Sequence, residues 1–231
     1  MAITLLSSLA ASGTVWWTGT EHEAWVELTV PKGTDLMVLV YQTSNATTRA
    51  ELDGRLMRRL FSQDTSNIST IAVCEYVRPP AGLRRMRVVQ PPAYTAVMAV
   101  VMLSGVDLRR PRGLDLVRGS AVSTTYSVTA PSERGAFVVG GVTVDNATPF
   151  PTPAATQVSL YSGQGHQSSS VFAVSYRRAT GVTTALSWTN PNTFSEVVAV
   201  SLRPARVRPT MLAPLARYSA ASLSVTARKT I

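Results

Sequence analysis

Short apolar or alternating segments that end at glycine and proline turns make up most of the chain. Residues 24–30 alternate polar and apolar side chains, as a half-buried strand does, and residues 36–41 are apolar throughout, as expected for a central strand. Between the strand-like residues 49–52 and 55–61 stands Asp53-Gly54, a dipeptide that suits a two-residue turn with positive φ. The pattern therefore predicts a β-hairpin there.

Further strand-like segments recur at intervals of roughly 8–12 residues, which is typical of a sandwich or barrel. They are residues 69–77, 83–89, 95–103, 124–129, 135–144, 156–161, 169–178, 182–188 and 194–202. No linker divides the chain and no fixed-period repeat is evident. We therefore expect an all-β fold, an antiparallel jelly-roll β-sandwich of about 12 strands. It would occupy residues 24–203, after an N-terminal lead-in segment (1–23) and before a C-terminal arm (204–231).

Composition supports a folded domain and raises a question about its surface. Hydrophobic residues make up 45% of the 231 residues, enough for a sizeable core, but charged residues make up only 15%. One reading is that partners cover much of the surface. The other is a β protein with a surface rich in serine and threonine.

The net charge of +9 is concentrated in the arm, which has no acidic residue. Its basic residues, the candidate partner-docking set, are Arg206, Arg208, Arg217, Arg228 and Lys229. Such an arm suits an anionic partner, either nucleic acid or an acidic protein surface.

Two compact arginine clusters, at residues 84–87 and 109–112, lie outside the arm. They lack interleaved aromatic residues, so nucleic acid is disfavoured as a partner. A solvated face, or an interface with an acidic neighbour, is the plainer interpretation of these clusters.

The residues that carry chemistry are few and scattered. The two histidines, His22 and His166, show no metal-ligand spacing, and a Gly-x-Ser-x-Gly elbow is absent. The carboxylates do not pair as a glycosidase requires. Cys74, the one cysteine, lies in an apolar run and is predicted to be a buried, inert thiol. We therefore predict no catalytic residues, no metal site, no cofactor and no enzymatic activity.

Three residues near strand ends are candidates for contact with a glycan: Tyr161, Trp188 and Asn190. Packing in the core or at its rim is the alternative role for aromatic residues at such positions. The longest apolar run, residues 96–103, is far shorter than the about 20 residues that a membrane-spanning helix needs, so no membrane partner is expected.

Several segments occur in a familiar order: the apolar residues 36–40, the Leu52-Asp53-Gly54 hairpin, the turn at residues 79–82 and the strand that ends in Ser104-Gly105-Val106. This order resembles a broad group of jelly-roll, concanavalin-like domains found in phage structural proteins and bacterial surface proteins. The resemblance covers roughly residues 24–203, although Leu-Asp-Gly stands where the group often has Tyr-Gly-Gly. Its motifs specify the fold more than the function, and the group has no universal catalytic residues.

The resemblance implies a non-enzymatic structural component of a bacteriophage virion, either a capsid decoration or head spike protein or a tail or fibre protein. Located in the virion, it would dock through the arm on other virion proteins and copies of itself. One alternative is a lectin-like carbohydrate-binding module for host surface glycans. Another is a polysaccharide-cleaving enzyme.

Overall fold

The computed structural model describes residues 2–12, 14–18, 21–43, 48–62, 70–90, 96–109, 112–119, 125–145, 149–164, 170–190 and 195–205. These residues form eighteen strands and no helix. The strands are β1 (Thr4–Ser12), β2 (Thr14–Thr18), β3 (Glu21–Val30), β4 (Leu36–Thr43), β5 (Arg49–Leu52), β6 (Arg55–Leu56), β7 (Arg58–Ser62), β8 (Thr70–Val77), β9 (Gly82–Gln90), β10 (Val97–Ser104), β11 (Gly113–Gly119), β12 (Thr125–Pro131), β13 (Phe137–Asp145), β14 (Thr152–Pro153), β15 (Val158–Gln164), β16 (Ser170–Arg178), β17 (Thr183–Thr189) and β18 (Ser195–Leu202).

The strands pair antiparallel into four sheets, two from each half of the chain. The first half forms outer sheet 1, with the order β2-β3-β9-β5-β6, and inner sheet 1, with the order β1-β10-β4-β8-β7. The second half forms inner sheet 2, with the order β11-β18-β13-β16-β15, and outer sheet 2, with the order β12-β17-β14.

Three apolar cores lie between successive sheets, so the four sheets are stacked in layers. In inner sheet 1, Val38 and Val40 face inner sheet 2, whereas Met37 and Leu39 face outer sheet 1. The third core fills the space between inner sheet 2 and outer sheet 2. Because the central strands of the inner sheets bury both faces, β4 and β10 are apolar with little alternation, whereas β12 and β17 alternate exposed and buried positions.

The strand order of the second half repeats that of the first. The order β11-β18-β13-β16-β15 corresponds to β1-β10-β4-β8-β7, and β12-β17-β14 corresponds to β3-β9-β5. Across the central core, β4 contacts β13, β1 contacts β15, and β8 contacts β18. A twofold axis that runs along β4 and β13 would generate this arrangement, so the chain folds as an internal pseudo-dimer.

Close packing at the pseudo-twofold axis requires a glycine. Leu36 and Phe137 occupy equivalent register positions in β4 and β13, which makes Val40 the counterpart of Gly141. A Cβ atom on Gly141 would lie 3.1 Å from Val40 Cγ1 and 2.9 Å from Ile71 Cδ1. Two equivalent valines therefore could not meet at the axis without displacing one of the inner sheets.

The predicted strands and hairpin agree closely with the structure. Glu51 pairs with Leu56 across a turn formed by Asp53 (φ 49°) and Gly54 (φ 75°), which confirms the hairpin. The all-β class and the antiparallel pairing are also confirmed.

The expected layout of the chain differs from the structure in two ways. Residues 1–23, expected to be a lead-in, contribute β1 and β2, because β1 is rich in small and hydroxyl residues without clear alternation and β2 is only five residues long. We expected a single sandwich of about 12 strands, but the described chain forms four sheets. The repeat went unrecognised because equivalent strands share apolar character rather than identical residues.

Replacement of Gly141 by valine is expected to lower the free energy of unfolding by about 1–3 kcal/mol, because the added methyl groups meet Val40 and Ile71. Urea denaturation measures the change. Gly181→Val is the matched control, since no atom lies within 4 Å of a Cβ at Gly181. Equal stability of the two variants would contradict the close packing at the axis.

Candidate functional site

Buried polar contacts join the two halves at one end of the central core. Gln42 Nε2 donates a hydrogen bond to Thr143 Oγ1, its counterpart across the pseudo-twofold axis. Nearby, the backbone N–H of Ile71 donates to Glu196 Oε2 at 3.3 Å. The side chains of Gln42, Thr143 and Glu196 are buried, so these hydrogen bonds satisfy groups that water does not reach.

A buried carboxylate lies farther along the same core, level with Val38. Glu75 has a fully buried side chain and accepts a hydrogen bond from Arg112 Nε at 2.8 Å and another from Arg58 Nη2. The Arg112 side chain is only 6% exposed, and its Nη1 donates to the Asp107 carbonyl oxygen at 3.0 Å. Arg112 immediately precedes β11, so this ion pair links the first half to the second.

Glu75 and Glu196 were interpreted from sequence only as dispersed carboxylates. Both stand within otherwise apolar strands, and that placement was the signal that each has a buried partner. Arg112, which pairs with Glu75, and Ile71, which pairs with Glu196, come from the other half of the chain, and local sequence does not reveal them.

The arginine cluster at residues 84–87 is compensated by acids on outer sheet 1. Arg87 Nη2 lies 2.6 Å from Glu51 Oε2, and its Nη1 also contacts Glu23 Oε1. Burial alone would raise the pKa of Glu51, but hydrogen bonds from Arg49 and Arg87 hold that pKa below its usual range. Arg87 and Glu51 therefore form part of a charge ladder on the outer face of this sheet.

The other members of this cluster are also engaged within the chain. Arg85 stacks over the Trp25 ring with its Cζ 4.3 Å from the ring centroid. Arg84 Nη1 lies 3.3 Å from Asp53 Oδ2, and its Nε donates to the Pro80 carbonyl oxygen. The interpretation as an interface with an acidic neighbour is weakened, because these cations already have intramolecular partners.

The three glycan-contact candidates do not converge on one surface. Trp188 is 0% exposed, in the core between the second-half sheets, because even-numbered positions of β17 face inward. Asn190 is also buried and donates to the Pro149 carbonyl oxygen. For Trp188 and Asn190, the packing role matches the structure better than sugar contact does.

Tyr161 is partly exposed on β15, in a different sheet from Trp188. Its hydroxyl donates to the Gln164 carbonyl oxygen at 2.7 Å, and its ring lies 5.9 Å from that of Phe172. Burial raises the pKa of Tyr161. These contacts assign the side chain a role in holding the end of β15.

Cys74 is buried beneath outer sheet 1, as predicted. Burial raises the pKa of its thiol to about 11, so the reactive thiolate is disfavoured. Burial likewise raises the pKa of Tyr41, whose hydroxyl lies 3.0 Å from Thr48 Oγ1. His166 and the side chain of His22 lie outside the described residues. Within the described ranges, no three His, Cys, Asp or Glu residues cluster as metal ligands.

The root of the basic arm is attached beside the crossing between the two halves. Pro204 forms a β-bridge with Val106, and the Ala205 N–H donates to the Gly105 carbonyl oxygen at 2.8 Å. Residues 204 and 205 therefore belong structurally to the fold. The arm's cations, Arg206, Arg208, Arg217, Arg228 and Lys229, lie outside the described residues.

Comparisons with protein-family models, curated proteins and solved structures found no match. No helix in the described chain is long and apolar enough to cross a membrane. The arrangement of the sheets and the exposed edges and arm root therefore provide the basis for a functional proposal.

Replacement of Glu75 by glutamine is expected to lower the free energy of unfolding by about 3–5 kcal/mol, because the buried Arg112 guanidinium loses its counter-charge. Urea denaturation of the purified chain measures the loss. Glu27→Gln, at an exposed position of β3, is the matched control and should change stability by less than about 0.5 kcal/mol. A loss below about 1 kcal/mol for Glu75→Gln would contradict the structural role of this pair.

Cys74 is expected to make stability pH-dependent above pH 9.0, the ordinary pKa of its thiol. Between pH 9.0 and about 11 the folded chain retains a proton that the unfolded chain loses, so the free energy of unfolding falls as pH rises. Urea denaturation across this range measures the slope.

The Cys74→Ala variant should show a shallower decline than the wild type over that range. Tyr41, whose pKa burial also raises, leaves a residual slope in both proteins. A slope unchanged by the substitution would show that the folded and unfolded thiols ionise alike.

Proposed function

We propose that the protein is a non-enzymatic structural component of a bacteriophage virion, built from two jelly rolls. The observation that carries the proposal is the strand order. In the first half, β1-β10-β4-β8 and β3-β9-β5-β6 form facing sheets, as two interleaved Greek keys do. The second half repeats this order with fewer strands. Jelly rolls of this kind recur in viral capsid proteins and lectins.

The packing between the halves supports a role as a rigid building block. The core between the inner sheets is lined by valine, leucine, isoleucine and phenylalanine, and the buried pairs Gln42–Thr143 and Glu75–Arg112 join the two halves beside it. Apolar burial resists separation of the halves, and the polar pairs fix their register. A block of this kind transmits load between neighbouring subunits without rearranging.

The position of the arm root supports docking on neighbouring subunits. The arm leaves the fold at Ala205, beside Gly105, where both halves meet. Its charge suits an acidic surface on another virion protein or on another copy of the chain. The lectin-like alternative is less well supported, because Trp188 and Asn190 are buried.

Deletion of residues 206–231 is expected to abolish association with phage particles while leaving the melting temperature unchanged, since the hydrogen bond from Ala205 to Gly105 is kept. Co-sedimentation with particles of the phage that encodes the chain measures association. A full-length variant with the five arm cations replaced by glutamine separates the contribution of charge from that of length.

The docking role of the arm would be wrong if the truncated chain still co-sedimented with particles. The virion role itself would be wrong if the full-length chain were absent from purified particles and present only in the unassembled fraction of the lysate.

A further inference from the structure

Most sheet edges in the described chain carry features that discourage pairing with another molecule. Edge strands expose unpaired backbone N–H and C=O groups, and proteins protect them with charges, prolines or shortness. The protected edges are β7 (with Arg58 and Arg59), β11 (with Asp115 and Arg118), β6 (two residues, with Arg55), β14 (two residues, with Pro153) and β12 (ending at Pro131).

The edge strand β1 lacks all of these protections. It is nine residues long, contains neither a charged residue nor a proline, and pairs only with β10 among the described strands. After a bulge between Leu5 and Ser7 its register with β10 runs unbroken to Ser12. Thr4, Leu6 and Ser8 are exposed.

The neighbouring strands β2, β3 and β15 contain no arginine or lysine, although β3 carries three glutamates. Residues 1–20 contain no charged residue, and β2, which follows β1, forms an edge of outer sheet 1. The edge strand β15, which contacts β1 from inner sheet 2, is also uncharged. The pseudo-twofold axis relates β1 to β11 and β15 to β7, and both β11 and β7 contain charged residues. The two pseudo-equivalent sides of the molecule have thus diverged, and only one is protected.

We propose that the outer edge of β1 pairs antiparallel with β1 of a second copy, which joins the two copies of inner sheet 1 into one continuous sheet. A chain with a net charge of +9 repels its own copies, so close approach favours a surface without cations. Antiparallel pairing of identical strands is compatible with a twofold axis. It also gives protein hydrogen-bond partners to backbone N–H and C=O groups that are otherwise bound to water at an exposed edge.

This contact deepens the proposed structural role, since it names a surface for self-association, and it is separate from the arm. Sedimentation velocity of the full-length chain at micromolar concentration is expected to give the mass of two chains. Ser8→Lys is expected to raise the dimer dissociation constant at least about tenfold, because the two edges then bring like charges together.

Two full-length variants serve as controls. Ser8→Ala should keep the dimer, since strand pairing uses the backbone rather than the hydroxyl. Ser127→Lys places the same charge at an exposed position of the edge strand β12 and should also keep it. Melting temperatures of all variants establish that each one folds.

A wild-type monomer, or a dimer equally stable in wild type and Ser8→Lys, would overturn the β1 contact. Equal weakening by Ser8→Lys and Ser127→Lys would also overturn it, by showing an effect of net charge alone. If the chain is found in particles while Ser8→Lys leaves its dimer intact, the edge proposal fails and the virion role stands. If a β1 dimer forms but the chain is absent from particles, the virion role fails.

Discussion

Burial of both faces of the two inner sheets is the constraint on which the rest of the structure depends. The central strands of these sheets, such as β4 and β13, supply side chains alternately to the central core and to one of the flanking cores. Such strands have no solvated face, so any polar side chain on them must find a partner inside the protein. Gln42, Thr143, Glu75 and Glu196 meet this demand through contacts that cross between the halves.

The pseudo-twofold arrangement adds a second demand, since equivalent residues meet at its axis. Identical halves would place valine against valine there, and the space between β4 and β13 does not allow it. The two halves differ in sequence at these positions, so that Val40 faces Gly141 without a clash and Gln42 forms a hydrogen bond with Thr143. The outer sheets have diverged too: outer sheet 1 carries arginine and glutamate, whereas the exposed positions Thr125, Ser127 and Thr129 of β12 carry hydroxyl groups.

Local pattern was enough to locate the strands that alternate or run apolar between turns, and to identify the Asp53-Gly54 hairpin, because those signals depend on neighbouring residues alone. It was not enough for β1 and β11, where small, hydroxyl or charged residues conceal the strand pattern, or for the five-residue β2. Strand pairing and sheet stacking are set by contacts distant in sequence, and two of the hydrogen bonds that join the halves link residues more than a hundred positions apart. The partners of Glu75 and the burial of Trp188 depend on that stacking, so sequence alone could not assign them.

Pairing within the molecule also limits what the arginine clusters can offer to an outside partner. Within the described chain, Arg84, Arg85, Arg87 and Arg112 are engaged with acids, carbonyl oxygens or an aromatic ring of the same molecule. A side chain held in this way gains little free energy by binding an outside partner. It would have to break an intramolecular hydrogen bond or ion pair for each new one that it forms. In the proposed structural role, recognition falls to backbone groups at the β1 edge and to the basic arm. Neither requires a particular spacing of side chains, so a structural protein can diverge widely in sequence while its assembly contacts are maintained.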